Sequence, residues 1–188
     1  MLQFVDPNVL FGDEESSVTL LHNLADLTDP SEYSTQVNQL IQAQQLVEHG
    51  ANVNAVTSPN GAETPLQYAC YTGSVTNLDF IELLLKEGAD PNSQNHVGLT
   101  PLMMTTVFAP GAAKFLLNWP TTDANITDRS GVSILAFAHR TLMRLSDKIA
   151  HSDSPEQVQH KFLLQQWIEI EKMLVERRAV DTGFPTLE

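Results

Sequence analysis

Apolar side chains recur at helical spacing in several separate segments of the chain. Residues 80–85 form a dense segment of this kind, with five apolar side chains in six positions. Near the C-terminus, Leu163, Trp167, Ile170 and Leu174 fall on one helical stripe. The polar side chains opposite this stripe are Lys161, Gln165, Glu169, Lys172 and Glu176. Because a period of about 3.6 residues is typical of an amphipathic helix, both segments are predicted to be helical.

Short signals mark where such helices begin and end. Thr64 and Thr100 can each cap a helix start with the hydroxyl, and each is followed by proline, which suits the first helical position. Gly50 and Gly88 follow apolar segments and can adopt the left-handed conformation that ends a helix. The sequence therefore predicts helix starts at 64 and 100 and helix ends at 49 and 87.

The last third of the chain carries two longer helical patterns. We predict a helix from about Ser133 to Ile149, followed by a loop. Residues 154–157 form a capping box with proline at the first helical position, which predicts the start of a second long helix. This second helix carries the stripe that ends at Leu174, and we expect it to close the fold.

A six-residue motif repeats along the chain. It is clearest at residues 64–69 and 100–105, and weaker copies stand at 19–24 and 133–138. The four starting positions are 45, 36 and 33 residues apart. Spacing of this size is typical of repeat architectures, in which each unit buries its apolar face against its neighbours.

A second motif interleaves with the first. Residues 46–54 match residues 84–92, and a weaker copy stands at 117–125. Polar, turn-prone gaps of equal length, 92–100 and 125–133, lead from the second motif back to the first. Two motifs in fixed order are a much stronger signal than either one alone.

Together the motifs resemble the ankyrin repeat, which opens with Thr-Pro-Leu-His-x-Ala and closes with Leu-Leu-x-x-Gly-Ala-Asp-x-Asn at a period of about 33 residues. The resemblance implies an all-α ankyrin-repeat solenoid of about four helix-turn-helix repeats, with short hairpin loops and a long C-terminal capping helix. The expected segments are an N-terminal arm at 1–15, repeats at about 16–55, 56–93, 94–126 and 127–181, and a C-terminal tail at 182–188. Residues 99–178 also resemble, more distantly, the ankyrin regions of MYND-type zinc-finger proteins.

Charge narrows the classes of partner. The chain has 188 residues, which suits one domain, and its formal charge of −13 disfavours binding to nucleic acid or to an anionic membrane. Residues 1–100 carry a net charge of −12 and residues 101–188 only −1, which favours a protein partner with a basic surface. We expect a monomer.

One cysteine and no apparent membrane span or secretory signal favour the cytosol or the nucleus.

No residue pattern indicates catalysis, a metal site or a cofactor. The six histidines lack ligand spacing, and no serine elbow or phosphate-binding glycine loop is present. Cys70 stands within a predicted helix, where a small buried hydrophobe is the ordinary role. His22 stands at the motif's histidine position, and the ankyrin resemblance implies that its ring braces the backbone of a hairpin turn.

The resemblance also implies where a partner binds, since hairpin tips and the exposed sides of first helices line a concave groove in this family. Carried onto this sequence, the tip positions are Asn60, Glu63, His96, Val97, Leu99, Arg129, Ser130 and Val132. The first-helix positions are Tyr71, Thr72, Val107, Phe108, Arg140 and Thr141. Exposed aromatic and arginine side chains often dominate binding energy, so we predict that this set forms the partner site.

Two asparagines carry a modification signal. Asn92 and Asn125 each follow a leucine by eight residues and an aspartate by two, which resembles the substrates of an asparaginyl hydroxylase that acts on ankyrin repeats. The alternative is structural, because the same asparagine bridges adjacent hairpins in ankyrin repeats generally.

The function that these observations favour is a protein-protein interaction module without catalysis. The alternative is a regulatory or targeting ankyrin segment of a larger enzyme or zinc-finger protein. A stand-alone hydrolase is disfavoured because the chain shows no nucleophile motif.

Overall fold

The computed structural model describes residues 6–9, 18–25, 33–57, 62–71, 78–105, 109–151 and 157–177. Within these ranges the chain forms eight helices and no strand, and Thr127 and Ser133 form an isolated bridge. The helices are α1 (Leu20–Ala25), α2 (Tyr33–Glu48), α3 (Pro65–Tyr71), α4 (Leu78–Lys86), α5 (Pro101–Met104), α6 (Pro110–Asn118), α7 (Ile134–Ala150) and α8 (Gln157–Glu176). The predicted all-α fold is confirmed.

Consecutive helices form four pairs, and the pairs stack in chain order. The first helices α1, α3, α5 and α7 contact one another in sequence, and so do the second helices α2, α4, α6 and α8. Each first helix also packs on the second helix of its own pair. The result is a solenoid with two helical layers, as the repeat spacing predicts.

The predicted helix starts are confirmed by capping hydrogen bonds. The hydroxyls of Thr100 and Ser133 accept hydrogen bonds from the backbone N–H groups three residues further on, both over 3.3 Å. Thr64 accepts from the backbone N–H of Gln67 in the same way. A side-chain oxygen thus satisfies an N–H group that the helix leaves without a partner.

The predicted helix ends are confirmed as well. Gly50 and Gly88 have φ values of +87° and +90°, the left-handed region that favours glycine. The N–H of the following alanine then donates to the carbonyl of Leu46 or of Leu84, in each case over 2.9 Å. This bonding pattern is the Schellman motif, and it ends α2 and α4 within one residue of the predicted positions.

Asparagines tie successive repeats together along one edge of the stack. Asn54 donates to the carbonyl of Gly88 over 2.9 Å and accepts from the N–H of Asp90 over 2.8 Å. Asn92 bonds the next repeat in the same way, through the carbonyl of Thr121 and the N–H of Asp123, both over 2.8 Å.

Asn8 repeats this arrangement at the start of the chain, inside the predicted N-terminal arm. Its side chain donates to the carbonyl of Gly50 over 3.0 Å and accepts from the N–H of Asn52 over 2.6 Å. Residues 6–9 are therefore joined to the first helix pair.

The last helix closes the stack. On α8 the stripe predicted from sequence is turned inward, with Trp167, Ile170 and Leu174 buried and Leu163 half-buried. α8 packs on α7 and α6, which confirms the predicted long capping helix. Of the predicted capping box at 154–157, residues 154–156 lie outside the described residues and Gln157 is the first residue of α8.

A candidate protein-binding groove on the first-helix layer

Two hairpins project between the helix pairs, and aspartate or asparagine side chains fix their tips. Asn95 accepts hydrogen bonds from the N–H groups of Val97 and Leu99 over 3.1 and 3.0 Å. Asp128 accepts from the N–H groups of Ser130 and Val132 over 2.8 and 2.9 Å. These side chains replace the backbone partners that a tight turn lacks, so each tip holds a defined shape.

The hairpins also bond to each other. The N–H of Arg129 donates to the carbonyl of Val97 over 3.1 Å, which links the tips of neighbouring repeats. Gly98 makes the approach possible, because a Cβ atom there would lie 2.5 Å from the Arg129 nitrogen. The tip residues are thereby held at fixed relative positions.

His22 braces the turn before α3, as the resemblance implies. Its Nδ1 accepts a hydrogen bond from the N–H of Thr19 over 3.2 Å, so the ring proton lies on Nε2. Nε2 then donates to the carbonyl of Glu63 over 2.9 Å. Burial lowers the pKa of His22, partly opposed by this bond to Glu63. The neutral ring thus positions one predicted tip residue.

Gln67 performs the same task one repeat later without an ionisable group. Its Oε1 accepts from the N–H of Thr64 over 2.8 Å, and its Nε2 donates to the carbonyls of Ser93 and Leu99 over 3.1 and 2.9 Å. A histidine and a glutamine can therefore substitute for each other at this position of the motif.

This equivalence predicts a pH effect on stability. As the pH falls below about 6.5, the ordinary pKa of histidine, unfolded chains bind a proton at His22 that the folded chain still excludes. The parent should therefore lose stability relative to His22→Gln from about pH 6.5 down to the lowered pKa of the folded state. Chemical unfolding of both proteins at pH 7.5, 6.0 and 5.0 measures this difference. Parallel losses in the two proteins would contradict the role of the neutral ring.

Five of the predicted site residues line one groove, together with four others. This first-helix groove has a volume of about 450 Å³ and is lined by Glu63, Tyr71, Asn95, His96, Val97, Leu99, Met103, Met104 and Phe137. Tyr71 is 73% exposed and Val97 is 42% exposed, whereas Met103 and Met104 are buried at 1% and 7%. The groove thus has a buried methionine floor and an aromatic and aliphatic rim.

The remaining predicted residues have other positions. Arg129 is exposed and Val132 half-buried on the neighbouring hairpin, outside the lining of the groove. The guanidinium of Arg140 lies 5.6 Å from the ring centroid of Phe137, a lining residue, which places it beside the groove. Asn60, Thr72, Val107 and Phe108 lie outside the described residues.

Thr141 does not face the groove, and that prediction is wrong. It is 5% exposed and belongs to the buried side of α7, with Ile134, Ala138 and Leu145. These four positions are spaced four, three and four residues apart, which is one helical face. Thr141 follows Arg140 directly, so the two side chains point about 100° apart around the helix.

Sequence analysis missed four lining residues. Met103, Met104 and Phe137 were visible only as parts of copies of the repeat motif, at 100–105 and 133–138. Asn95 was assigned to a polar gap, yet its amide donates to the Glu63 carboxylate over 3.2 Å. That contact joins positions 32 residues apart, so it depends on how the repeats stack.

Charge is distributed unevenly around the first-helix groove. The Glu63 carboxylate lies in its lining, and Arg129 and Arg140 lie on the side of the last repeat. A bound segment with one basic and one acidic end would match this distribution.

The described residues carry little that suggests other chemistry. Cys70 is fully buried, and burial raises the pKa of its thiol far above the ordinary value, so the protonated form dominates. Among the described residues no group of three or more histidine, cysteine, aspartate or glutamate side chains could hold a metal ion. No helix in the described part of the chain is long and apolar enough to cross a bilayer.

Comparison with known protein families decides the repeat type. A model of ankyrin repeats, in three copies, matches residues 13–128, which is more than half of the chain. The chain belongs to the ankyrin repeat family. The matched residues include the first three helix pairs, so these pairs are ankyrin repeats and the predicted ankyrin fold is confirmed. The pair α7 and α8 lies beyond the matched residues.

Three relatives match part of this chain in sequence. The chain is 39% identical over 88 residues to an ankyrin repeat protein of Acanthamoeba polyphaga mimivirus. It is 36% identical over 74 residues to the 2-5A-dependent ribonuclease of Mus musculus. It is 43% identical over 67 residues to the ankyrin repeat and LEM domain-containing protein 1 homologue of Caenorhabditis elegans. The matches cover 46%, 39% and 36% of this chain.

The matches also cover only part of each relative. They span 54% of the viral protein, 10% of the ribonuclease and 9% of the nematode protein. These relatives do not include a MYND-type zinc-finger protein, and that finer resemblance gains no support from them. As an ankyrin repeat domain, the chain is of a kind that generally binds other proteins and is typically non-catalytic.

Proposed function

We propose that this chain is a non-catalytic protein-binding module whose partner occupies the first-helix groove. The observation that carries the proposal is the joint lining of one groove by five residues from two neighbouring repeats, over a floor of methionines. Methionine adapts its shape to an apolar side chain, and exposed tyrosine is a frequent anchor of interfaces. A partner segment with a bulky apolar residue fits this combination.

Charge indicates which segment binds best. A basic residue beside the apolar anchor would meet Glu63, and an acidic residue further along would meet Arg129 or Arg140. The net charge of −12 on residues 1–100 would speed the encounter with a basic surface. The partner class is therefore a protein with an exposed, basic and apolar segment.

Replacing groove residues should weaken binding without unfolding the chain. We expect Tyr71→Ala and Val97→Ser each to cost about 1–2 kcal/mol of binding free energy, or about 5- to 30-fold in Kd. A partner captured from native lysate and then purified allows calorimetric titration of each variant. Because both side chains are exposed, the melting temperatures should stay close to that of the parent.

Val158→Ser is the matched control. Val158 is 75% exposed and lies on α8, outside the lining of the first-helix groove. The Val158→Ser variant should leave the Kd for the captured partner unchanged. If Val97→Ser and Val158→Ser bind the captured partner equally well, the first-helix groove is not the recognition surface.

A second candidate is a regulatory or targeting ankyrin segment of a larger enzyme. It is supported by the similarity to the 2-5A-dependent ribonuclease, in which the matched ankyrin region is 10% of the protein. In that case the groove would bind a regulatory partner while another domain performs the reaction.

For both candidate functions we propose a monomer in the cytosol or nucleus, where a lone reduced cysteine is usual.

Asn92 and Asn125 remain proposed hydroxylation sites. The side chain of Asn92 donates to the carbonyl of Thr121 and accepts from the N–H of Asp123 in the next repeat, and the side chain of Asn125 donates to Asp123. Mass spectrometry of the chain incubated with the hydroxylase should show one added oxygen at Asn92 and at Asn125. Unmodified asparagine at both positions would contradict the proposal.

A further inference from the structure

A second groove lies on the other helical layer, between α2 and α4. It has a volume of about 620 Å³, and its described lining residues come from the second helices of the first two pairs and the turn after α4. None of the residues that line the first-helix groove takes part. This second-helix groove is therefore a separate surface, and its ligand chemistry can be argued independently of the proposed function.

The floor of the second-helix groove is apolar and partly open to solvent. Leu40, Ile41 and Leu83 line it, and the Ile41 side chain is 51% exposed. Val37, one helical turn before Ile41, is 38% exposed and extends the same face of α2. The outward face of a surface helix is ordinarily polar. Adjacent aliphatic side chains in a groove form a contiguous patch of the kind that marks a binding surface.

The rim of the groove is acidic. Glu48, Asp79, Glu82 and Glu87 contribute carboxylates, and Lys86 is the single base among the described residues of the lining. The Lys86 ammonium is already paired with the Glu82 carboxylate over 2.7 Å. The described lining residues therefore carry a net formal charge of −3 around the apolar floor, within the half of the chain that has the acidic excess.

We propose that the second-helix groove docks a basic amphipathic helix of a partner protein. One row of aliphatic side chains on that helix would cover Ile41 and its neighbours, and lysine or arginine beside the row would face the carboxylates. The lining positions of α2 run from 40 to 48, about 12 Å of helix, which matches two turns of a docked helix. Charge complementarity selects a basic helix over an acidic one.

The test uses a defined probe with the full chain. The probe is a fluorescein-labelled 18-residue peptide of leucine and lysine, with leucines at i, i+3, i+4 and i+7 spacing so that they share one helical face. A second peptide has the same composition in an order that places the leucines on no single face. Fluorescence anisotropy at several salt concentrations should show the first peptide binding at least about tenfold more tightly than the second.

Two groove variants test the location. Ile41→Gln removes the exposed aliphatic side chain. Glu48→Gln with Glu87→Gln removes two rim charges while keeping the length and shape of the two side chains. Each change should raise the Kd of the first peptide at least about fivefold. Circular dichroism should show unchanged melting, since these side chains are exposed or on the rim.

Matched controls separate the groove from total charge. Val158→Gln replaces an aliphatic side chain on α8 that is 75% exposed, and Asp147→Asn with Glu176→Gln removes two carboxylates outside the groove. Both should change the Kd less than about twofold, and Tyr71→Ala should also leave it unchanged.

Three outcomes would overturn the proposal. Equal weakening by groove and control variants would show that the peptide senses only net charge. Equal binding of the two peptides would exclude helix recognition. Loss of binding in Tyr71→Ala, with full binding in Ile41→Gln, would assign the peptide to the first-helix groove instead. Because a separate partner and separate variants test the first-helix groove, failure of one proposal leaves the other standing.

Discussion

Replacing Trp167 by alanine should lower the free energy of unfolding by about 3–5 kcal/mol, the range for removing a large aromatic side chain from a core. Trp167 is 1% exposed and lies on the inward stripe of α8, where this helix packs on α7 and α6. Without the ring, the last helix would lose its central contact with the stack. Urea unfolding followed by far-ultraviolet circular dichroism measures the change.

Phe162→Ala is the matched control on the same helix. Phe162 is 62% exposed, so its removal should change the free energy of unfolding by no more than about 0.5 kcal/mol. Equal losses in the two variants would mean that α8 does not cap the stack through Trp167.

Gly98→Ala should be the most damaging of the glycine substitutions in the hairpins. At a φ of +87°, an alanine costs about 1 kcal/mol through its backbone conformation alone. Its Cβ would also lie 2.5 Å from the Arg129 nitrogen and 3.0 Å from the Asp128 carbonyl carbon. Both atoms belong to backbone, so the hairpins must move apart and lose the bond from Arg129 to Val97. We expect a total loss above about 2 kcal/mol.

Gly131→Ala separates the two causes. Gly131 has a φ of +80°, but a Cβ there would meet nothing within 4 Å. It should therefore cost only the conformational part, about 1 kcal/mol, in the same urea unfolding experiment. Losses of similar size in Gly98→Ala and Gly131→Ala would contradict the close approach of the two hairpins.

The sequence predicted much of the fold because its signals are local. Threonine before proline starts a helix, and glycine after an apolar run ends one, within a few residues of chain. The capping helix was predictable for the same reason, because its apolar stripe from Leu163 to Leu174 repeats over about three turns. The arm, repeat and tail boundaries stay predictions.

The binding groove was only partly predictable because it depends on stacking. Glu63 and Asn95 meet only when repeats two and three are packed together, and no local pattern reports such a contact. Thr141 was different, since its place among Ile134, Ala138 and Leu145 is a periodic signal in the sequence. The second-helix groove likewise combines residues of two repeats, so neither helix alone indicates it.

The most direct test of the first-helix groove is site-specific photo-crosslinking in native lysate. A photoreactive amino acid would replace Tyr71 or Val97 in the groove, and Val158 or Val175 on α8, where the side chains are 75% and 58% exposed. The account predicts that positions 71 and 97 crosslink to the same partner protein and that positions 158 and 175 do not. Crosslinks from the α8 positions alone, or equally from all four, would contradict recognition through the first-helix groove.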